Sequence, residues 1–245
     1  MTTVKNEIRC SIVIPVLESY EVVNRQLLHF NRILPDDWEL LLMDDGSAPA
    51  IISRLHPQAK EILEKSNFQL IETHDTRSWS EPAASNTGAK LAQGKYYFHT
   101  DIDHIVTAES IAAINNNDFQ KMTFTRTWGI LDEDGNICTD IDILKQYGLK
   151  DELIGKIGTH ANTFAMDRQI FLDLGGFDEK FCGDYGRHDA DFNDRYGVQS
   201  HKNNWVNLKG GLMYVYPDPN RDVMGLFHGL RNHKKKTGSY QNYKR

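Results

Sequence analysis

Cysteine is scarce in this sequence of 245 residues, and long hydrophobic runs are absent. The three cysteines, Cys10, Cys138 and Cys182, lie far apart and lack C-x-x-C spacing. We therefore expect neither a disulfide framework nor a structural zinc site, and a reducing compartment fits best. The N-terminal segment MTTVKNEIRC has no signal-peptide pattern, and the apolar run at residues 12–17 is short and contains Pro15. These features predict a cytoplasmic protein without stable membrane insertion.

A net positive charge and the common phosphate-binding signatures are also missing. The net charge of -6 argues against a broad electrostatic surface for nucleic acid or anionic lipid, although the final segment RNHKKKTGSYQNYKR is locally basic. No G-x-G-x-x-G follows the first apolar run, and G-x-x-x-x-G-K-[ST] does not occur. A bound phosphate must therefore be held in another way.

Short apolar runs alternate with helical patterns along residues 10–100. Continuous runs rich in β-branched or aromatic residues favour buried strands, and they read CSIVIPVL, WELLLMD, FQLIET and KYYFHT. Amphipathic spacing, with proline and glycine near the expected ends, predicts helices over about residues 20–34, 57–65 and 81–93. This alternation predicts an α/β domain in which helices flank a mostly parallel central sheet.

Acidic residues directly follow two of these predicted strands. Asp44 and Asp45 end the run WELLLM, while Asp101 and Asp103 follow KYYFHT. Ligands of α/β sheets bind beyond the carboxyl ends of the strands, and two carboxylates two residues apart suit Mg²⁺ or Mn²⁺. By itself, a D-x-D pattern is more often a solvated acidic turn, so other motifs must distinguish the two interpretations.

Five segments in order carry a family resemblance. They are SIVIPVL, LLLMDDGS, SNTGAKLAQGKYYFHTDID, FAMDRQIFLDLGGFDEKF and HDADFNDRY. Together they resemble the GT-A-fold nucleotide-sugar glycosyltransferases of the family-2 type, and the later segments are similar to β-1,4-galactosyltransferases and chondroitin-type polymerases. The resemblance implies one Rossmann-like GT-A domain over residues 1–245, with a nucleotide-binding half at about 10–105, an acceptor and catalytic half at about 106–235, and a basic tail at 236–245.

The resemblance implies a donor site and a metal site. Asp45 would bind the nucleobase or ribose, Asp101 would lie near the ribose and a metal-bound water, and Asp103 would bind the cation directly. His228 would complete the metal site, with Mn²⁺ favoured over Mg²⁺. The cation would neutralise the departing diphosphate. The remaining residues expected to contact the nucleotide sugar are Pro15, Val16, Glu18 and Ile102.

The acceptor side follows from the Gly-Gly-Phe-Asp turn and the acidic helix after it. Asp189 matches the general base that takes a proton from the acceptor hydroxyl. As an alternative, Asp189 is simply an acid that favours the start of a helix. Tyr185 and His188 match acceptor-contacting positions, but His188 stands where the family usually has Glu. Asp191 and Arg195 form a plain i,i+4 pair.

Several positions depart from the family pattern or have an ordinary structural explanation. Ser85 stands where many members have Arg, and Arg77 is our candidate for the missing cation. We expect Trp79 to pack its own loop, and we assign no ligand role to His99, His104 or His160. The insert at 123–158, with its Asp134-Gly135 hairpin signal, resembles no segment that we can assign, and it lies where acceptor specificity is usually built in the family.

The resulting prediction is a metal-dependent glycosyltransferase that moves a sugar from a nucleotide diphosphate, a UDP-sugar, to a hydroxyl acceptor with inversion. One alternative is a nucleotidyltransferase, which would ordinarily carry a glycine-rich basic loop where this chain has PVLESYE. Another is a catalytically silent nucleotide-sugar-binding domain, which His188 would permit. The acceptor stays open, and nucleic acid enters only as an acceptor, for example a modified base in DNA.

Overall fold

The first half of the chain forms a parallel sheet in the computed structural model, which describes residues 7–77, 79–183 and 186–217. The four predicted strands all form, and they are β1 (Cys10–Val16), β2 (Trp38–Asp44), β3 (Phe68–Glu72) and β4 (Tyr96–His99). Strand β1 pairs in parallel with β2 and β4, and β2 pairs in parallel with β3. The α-helices between these strands are α1 (Tyr20–Ile33), α2 (Pro57–Ile62) and α3 (Glu81–Leu91).

The second half makes the sheet mixed rather than purely parallel. Its elements are β5 (His104–Val106), α4 (Ala108–Asn115), β6 (Lys121–Trp128), β7 (Ile130–Leu131), β8 (Ile137–Cys138), α5 (Ile141–Gln146), β9 (Lys156–Gly158), β10 (Phe164–Asp167), α6 (Arg168–Asp173), α7 (His188–Asn203) and β11 (Asn207–Val215). Short 3₁₀ helices cover Ile51–Arg54, Asp151–Leu153 and Glu179–Phe181. The strand order is β3-β2-β1-β4-β10-β6-β11-β5, with β9 beside β6.

Strand direction explains the mixture. β10 runs antiparallel to both β4 and β6, and β11 runs parallel to β6 but antiparallel to β5. The predicted α/β class is therefore confirmed, with helices on both faces of a central sheet. The sequence pattern of the first half contains no information about the strands that extend the sheet beyond β4.

Both faces of the sheet are buried, which accounts for the continuous apolar runs. Ile12 of β1 joins the core beneath α1, where Phe30 is fully buried, while the next residue, Val13, joins the core on the other face. That second core includes Tyr97 of β4 and Phe192 of α7. Neighbouring strand residues thus point to opposite hydrophobic layers.

The insert contains a hairpin that rests on α1. The Asp134-Gly135 signal is confirmed, since β7 and β8 pair as an antiparallel hairpin and Gly135 has a φ of +77°. A Cβ at Gly135 would lie 2.7 Å from the backbone nitrogen of His29, so this close approach also requires glycine. Arg25 of α1 donates to the carbonyl of Leu131. Among the described residues, no helix combines the length and the hydropathy that a membrane span requires.

Candidate active site

One cavity lies at the carboxyl ends of β1, β2 and β4, where the sheet rule places a ligand. Its volume is about 220 Å³. The beginnings of α3 and α7 and the loop between β9 and β10 complete its wall. The lining residues are Pro15, Val16, Leu17, Asp45, Trp79, Glu81, Asp101, Ile102, Asp103, His160, Asn162, Gly186, Arg187, His188 and Asp189.

The two acids at the end of β2 have different environments. Asp44 accepts hydrogen bonds from the backbone N–H groups of Ser47 and Ile51 at 2.9 and 2.8 Å, so it shapes the turn. Asp45 lines the cavity and is buried. The backbone N–H of Ser80 donates to Asp45 at 3.0 Å, and the Ser80 hydroxyl donates as well. The Asp45 carboxylate is therefore held in a defined orientation at the cavity wall.

The D-x-D loop is held from behind by α1 and carries a concentration of negative charge. The amide of Gln26 donates to the carbonyls of Ile102 and His104 at 3.1 and 2.8 Å. Burial raises the pKa of Asp101 well above its ordinary value, and the nearby carboxylates of Glu81, Asp103 and Asp189 raise it further. Because like charges in one cavity disfavour ionisation, this arrangement suits a divalent cation, which would reverse the effect.

Two histidines accompany the D-x-D acids. Asp101, His104 and His160 offer one ligand atom each, all within 4.8 Å of one another. The guanidinium of Arg126 donates to Nε2 of His104 at 2.8 Å, and the backbone N–H of Asn162 donates to Nδ1 of His160 at 3.2 Å. In the neutral rings, the protons therefore sit on Nδ1 of His104 and Nε2 of His160.

Those protons oppose metal binding by either ring as long as the ring keeps the hydrogen bond that it accepts. A ligating histidine normally donates its other ring N–H to an acceptor, whereas each of these rings accepts from a donor at that other nitrogen. Nδ1 of His104 lies 3.1 Å from Asp103 Oδ1 in a geometry that falls short of a hydrogen bond. Asp101 and Asp103 are thus the side chains that could bind a cation without a change in their hydrogen bonds.

Glu81, the first residue of α3, also lies in the site, although our sequence analysis did not select it. The amide of Asn162 donates to Glu81 Oε1 at 2.7 Å and to Asp101 Oδ1 at 2.5 Å. Nε2 of His188 lies 3.2 Å from the same Glu81 oxygen. Burial acts to raise the pKa of Glu81, but His188, His99 and the Asn162 amide outweigh it and lower that pKa. The only sequence signal was an acid at a helix start that follows a strand.

A buried histidine, His99, lies beside Ser85, the residue that stands where many family members have Arg. The Ser85 hydroxyl lies 3.0 Å from Nε2 of His99, and Nδ1 of His99 donates to the carbonyl of Asn162 at 2.9 Å. Burial lowers the pKa of His99 to about 4. A neutral, hydrogen-bonded imidazole therefore lies against Ser85.

An amide clamp connects the SNTG and GGFD motifs. Asn86 Oδ1 accepts from the backbone N–H of Phe177 at 2.8 Å, and its Nδ2 donates to the Phe177 carbonyl at 2.9 Å. Gly176, with a φ of +64°, passes so close that a Cβ there would lie 2.3 Å from Asn86 Oδ1. The clamp joins α3, which carries Glu81, to the turn that leads to α7.

The predicted site residues divide into three groups. Pro15, Val16, Asp45, Asp101, Ile102, Asp103, His188 and Asp189 come together in the cavity. Glu18 and Arg77 are missing from the described part of its lining: the Glu18 N–H donates to Ser47 Oγ at 2.8 Å, and the exposed Arg77 guanidinium pairs with Asp75. Tyr185 and His228 lie outside the described residues.

Two side-chain interpretations are confirmed. Trp79 is buried, and its ring meets the His188 ring edge to face with centroids 5.1 Å apart, so it packs its loop as expected while also lining the cavity. Nε of Arg195 lies 2.8 Å from Asp191 Oδ2, so these residues form the i,i+4 pair that their spacing predicts.

Several solved structures share the fold of this chain. The mannosyltransferase PcManGT from Pyrobaculum calidifontis, in complex with GDP-Man and Mn²⁺, has a TM-score of 0.56 and 15% identity over 85% of this chain and 56% of that chain. TarS 1–349 of S. aureus has a TM-score of 0.52 and 16% identity over 86% of this chain and 61% of that one. GalNAc-T7 with UDP, GalNAc and Mn²⁺ has a TM-score of 0.51 and 16% identity over 86% and 43%.

The family follows from the sequence match. This chain spans less than two thirds of each of those structures, and identities of 15% and 16% show the shared fold alone. No curated protein matches the sequence. The family model described as "Glycosyltransferase like family 2" matches residues 11–233, which is most of the chain. The chain therefore belongs to this family and shares the GT-A fold with those structures.

Proposed function

We propose that the protein transfers one sugar from a nucleotide diphosphate donor, a UDP-sugar, to a hydroxyl acceptor, with inversion at the anomeric carbon and with Mn²⁺ as cofactor. The observation that carries the proposal is the single cavity lined by Asp45, Asp101, Asp103 and Asp189, which come from three separate parts of the chain. The complexes of two neighbours, one with GDP-Man and Mn²⁺ and one with UDP, GalNAc and Mn²⁺, support this donor class and metal.

The donor would bind along the ends of β1 and β2. Pro15 and Val16 supply an apolar wall, and Ile102 is buried at the base of the D-x-D loop. The oriented carboxylate of Asp45 would accept hydrogen bonds from N–H or O–H groups of the base or ribose. Glu18 and Arg77 remain predicted contacts, in the segments that follow β1 and β3.

Asp101 and Asp103 would hold the cation, and His228 remains the predicted third ligand. A divalent cation bound there would neutralise the negative charge that develops on the diphosphate as it leaves. The raised pKa of Asp101 supports this assignment, because burial and three neighbouring carboxylates create a demand for positive charge.

Asp189 would act as the general base. It lies in the first turn of α7 and lines the cavity, and a helix start favours the ionised carboxylate. Asp189 would take the proton of the acceptor hydroxyl, whose oxygen would form the new bond to the anomeric carbon while the bond from that carbon to the diphosphate breaks. His188 and Tyr185 would lie on the acceptor side of the site.

The test is a screen of UDP-, GDP- and TDP-sugars with Mn²⁺ or with EDTA, in which binding is followed by calorimetry and nucleotide release by chromatography. We expect one donor class to bind only with Mn²⁺ and to be turned over slowly by water. Asp103→Asn should abolish the donor binding that requires Mn²⁺. Asp189→Asn should lower turnover by about 10²- to 10⁴-fold with unchanged donor affinity.

Asp191→Asn is the matched control. Asp191 lies in the same helix turn as Asp189, but its carboxylate pairs with Arg195. Its turnover should stay within about twofold of wild type. Full activity of Asp103→Asn, or the absence of binding to every nucleotide sugar, would contradict the proposal. Donor binding without turnover on any acceptor would favour the catalytically silent domain.

A further inference from the structure

The Glu81 carboxylate is held at one oxygen and open at the other. Oε1 accepts from Asn162 at 2.7 Å and lies 3.2 Å from His188 Nε2. Among the described residues, Oε2 makes no hydrogen bond. It is not one of the atoms that are both buried and without a partner, so Oε2 itself is not buried. Since Glu81 lines the cavity, its second oxygen is accessible from the cavity.

The two groups that hold Oε1 are themselves fixed. Asn162 is buried, and its carbonyl accepts from His99 while its amide also donates to Asp101. The His188 ring is 3% exposed and packs edge to face against Trp79 and Phe177, with centroids 5.1 and 4.8 Å apart. Nε2 of His188 also lies 3.2 Å from the Asn162 amide oxygen. Because both neighbours of Nε2 are acceptors, this nitrogen carries a proton. It donates to the Asn162 amide oxygen and lies within ion-pair distance of Glu81 Oε1.

The chemistry of Glu81 favours binding over proton transfer. Its pKa is lowered by His188, by His99 and by the Asn162 amide, which outweigh burial, and a carboxylate with a lowered pKa is a weak base. An ionised carboxylate with one free oxygen is instead a strong acceptor for hydroxyl groups.

We propose that Glu81 binds a carbohydrate hydroxyl in the cavity through its free carboxylate oxygen, and that His188 and Asn162 are positioning residues that orient it. The inference rests on the function proposed above and adds a specificity-determining residue to it. It also gives His188 a role: the carboxylate expected at position 188 is supplied by α3, and the imidazole holds it. The hydroxyl belongs either to the transferred sugar or to the acceptor, and the experiment separates these sources.

The experiment compares wild type with Glu81→Gln, Glu81→Ala and the control Glu179→Gln. Glu179 accepts from Asn86 at 3.0 Å and lies outside the described cavity lining. Calorimetry measures the affinity for Mn²⁺ alone, for UDP with Mn²⁺ and for the UDP-sugar with Mn²⁺. Turnover at saturating donor is then measured with water and with a panel of methyl glycosides. Thermal unfolding confirms that each variant is folded.

If Glu81 binds the transferred sugar, Glu81→Gln should lose about tenfold or more in affinity for the UDP-sugar while its affinities for UDP and Mn²⁺ stay within about twofold. If it binds the acceptor, donor affinity should be unchanged and the KM for the methyl glycoside should rise by a similar factor. Glu179→Gln should match wild type in every measurement.

His188 is tested by rescue and by coupling. His188→Gln retains an N–H donor and should stay within about threefold of wild type, whereas His188→Ala should resemble Glu81→Ala. The double variant Glu81→Ala/His188→Ala should be no worse than Glu81→Ala alone, because residues that act together are not additive.

Three results would overturn the inference. If wild type binds the donor and Glu81→Ala behaves like wild type, the inference about Glu81 is refuted and the proposed function is not. Equal losses for UDP and for the UDP-sugar would assign Glu81 a general structural or metal-related role. Wild-type protein that binds no nucleotide sugar would refute the proposed function, and the inference with it.

Discussion

The amide clamp between Asn86 and Phe177 provides a direct test of how the two sides of the site are held together. Asn86→Ala removes an acceptor for the Phe177 N–H at 2.8 Å and a donor to the Phe177 carbonyl at 2.9 Å. Phe177 is 1% exposed and Asn86 is 5% exposed. Water therefore has little access to the two backbone groups that the substitution leaves without a partner.

The magnitude follows from these two groups. Each buried polar group without a partner costs about 1 to 3 kcal/mol, so we expect Asn86→Ala to lower the free energy of unfolding by about 3 kcal/mol. For a domain of this size, about 1 kcal/mol corresponds to about 2 to 4 °C in Tm. The expected decrease in Tm is therefore about 6 to 12 °C.

The assay is urea unfolding followed by circular dichroism, with Asn117→Ala as the matched control. The Asn117 amide donates to the carbonyl of Ala113 on the protein surface, so its loss should cost less than about 0.5 kcal/mol. A loss for Asn86→Ala no larger than that of the control would refute the reasoning. It would mean that the GGFD turn is held by its other contacts.

Three further predictions concern Lys121 and the two acids at the end of β2. Lys121 is buried, its Nζ lies within 4.8 Å of the Phe164 and Tyr196 ring centroids, and burial lowers its pKa to about 8 from an ordinary 10.5. The folded state thus loses this proton before the unfolded state does, so wild-type stability should rise by up to about 3 kcal/mol between pH 8 and 10.5. Lys121→Met should lack this rise in urea unfolding at several pH values, and parallel curves would contradict the assignment. Asp44→Ala should cost about 2 kcal/mol of stability because two backbone N–H groups lose their acceptor. Asp45→Ala should reduce UDP affinity, measured by calorimetry, far more than Asp44→Ala does, and equal losses of UDP affinity would argue against a nucleotide contact at Asp45.

The parallel half of the fold was predictable because its signals are local. A strand buried on both faces requires a continuous apolar run, and Ile12 and Val13 do enter opposite cores. The mixed half was not predictable in this way, since the antiparallel placement of β10 between β4 and β6 depends on pairing between distant segments. Nothing in the run FAMD encodes the identity of its neighbours.

The site divides along the same line. Asp45, Asp101 and Asp103 stand at strand ends, and Asp189 stands at a helix start, and these local signals predicted four side chains that do line one cavity. The groups that support them could not be predicted from local signals. Asn162 reaches Glu81 and Asp101 across 81 and 61 residues of sequence, and the Glu81 to His188 contact joins α3 to α7. Strand ends follow from local hydrophobic pattern, whereas these contacts exist only after the sheet has brought distant segments together.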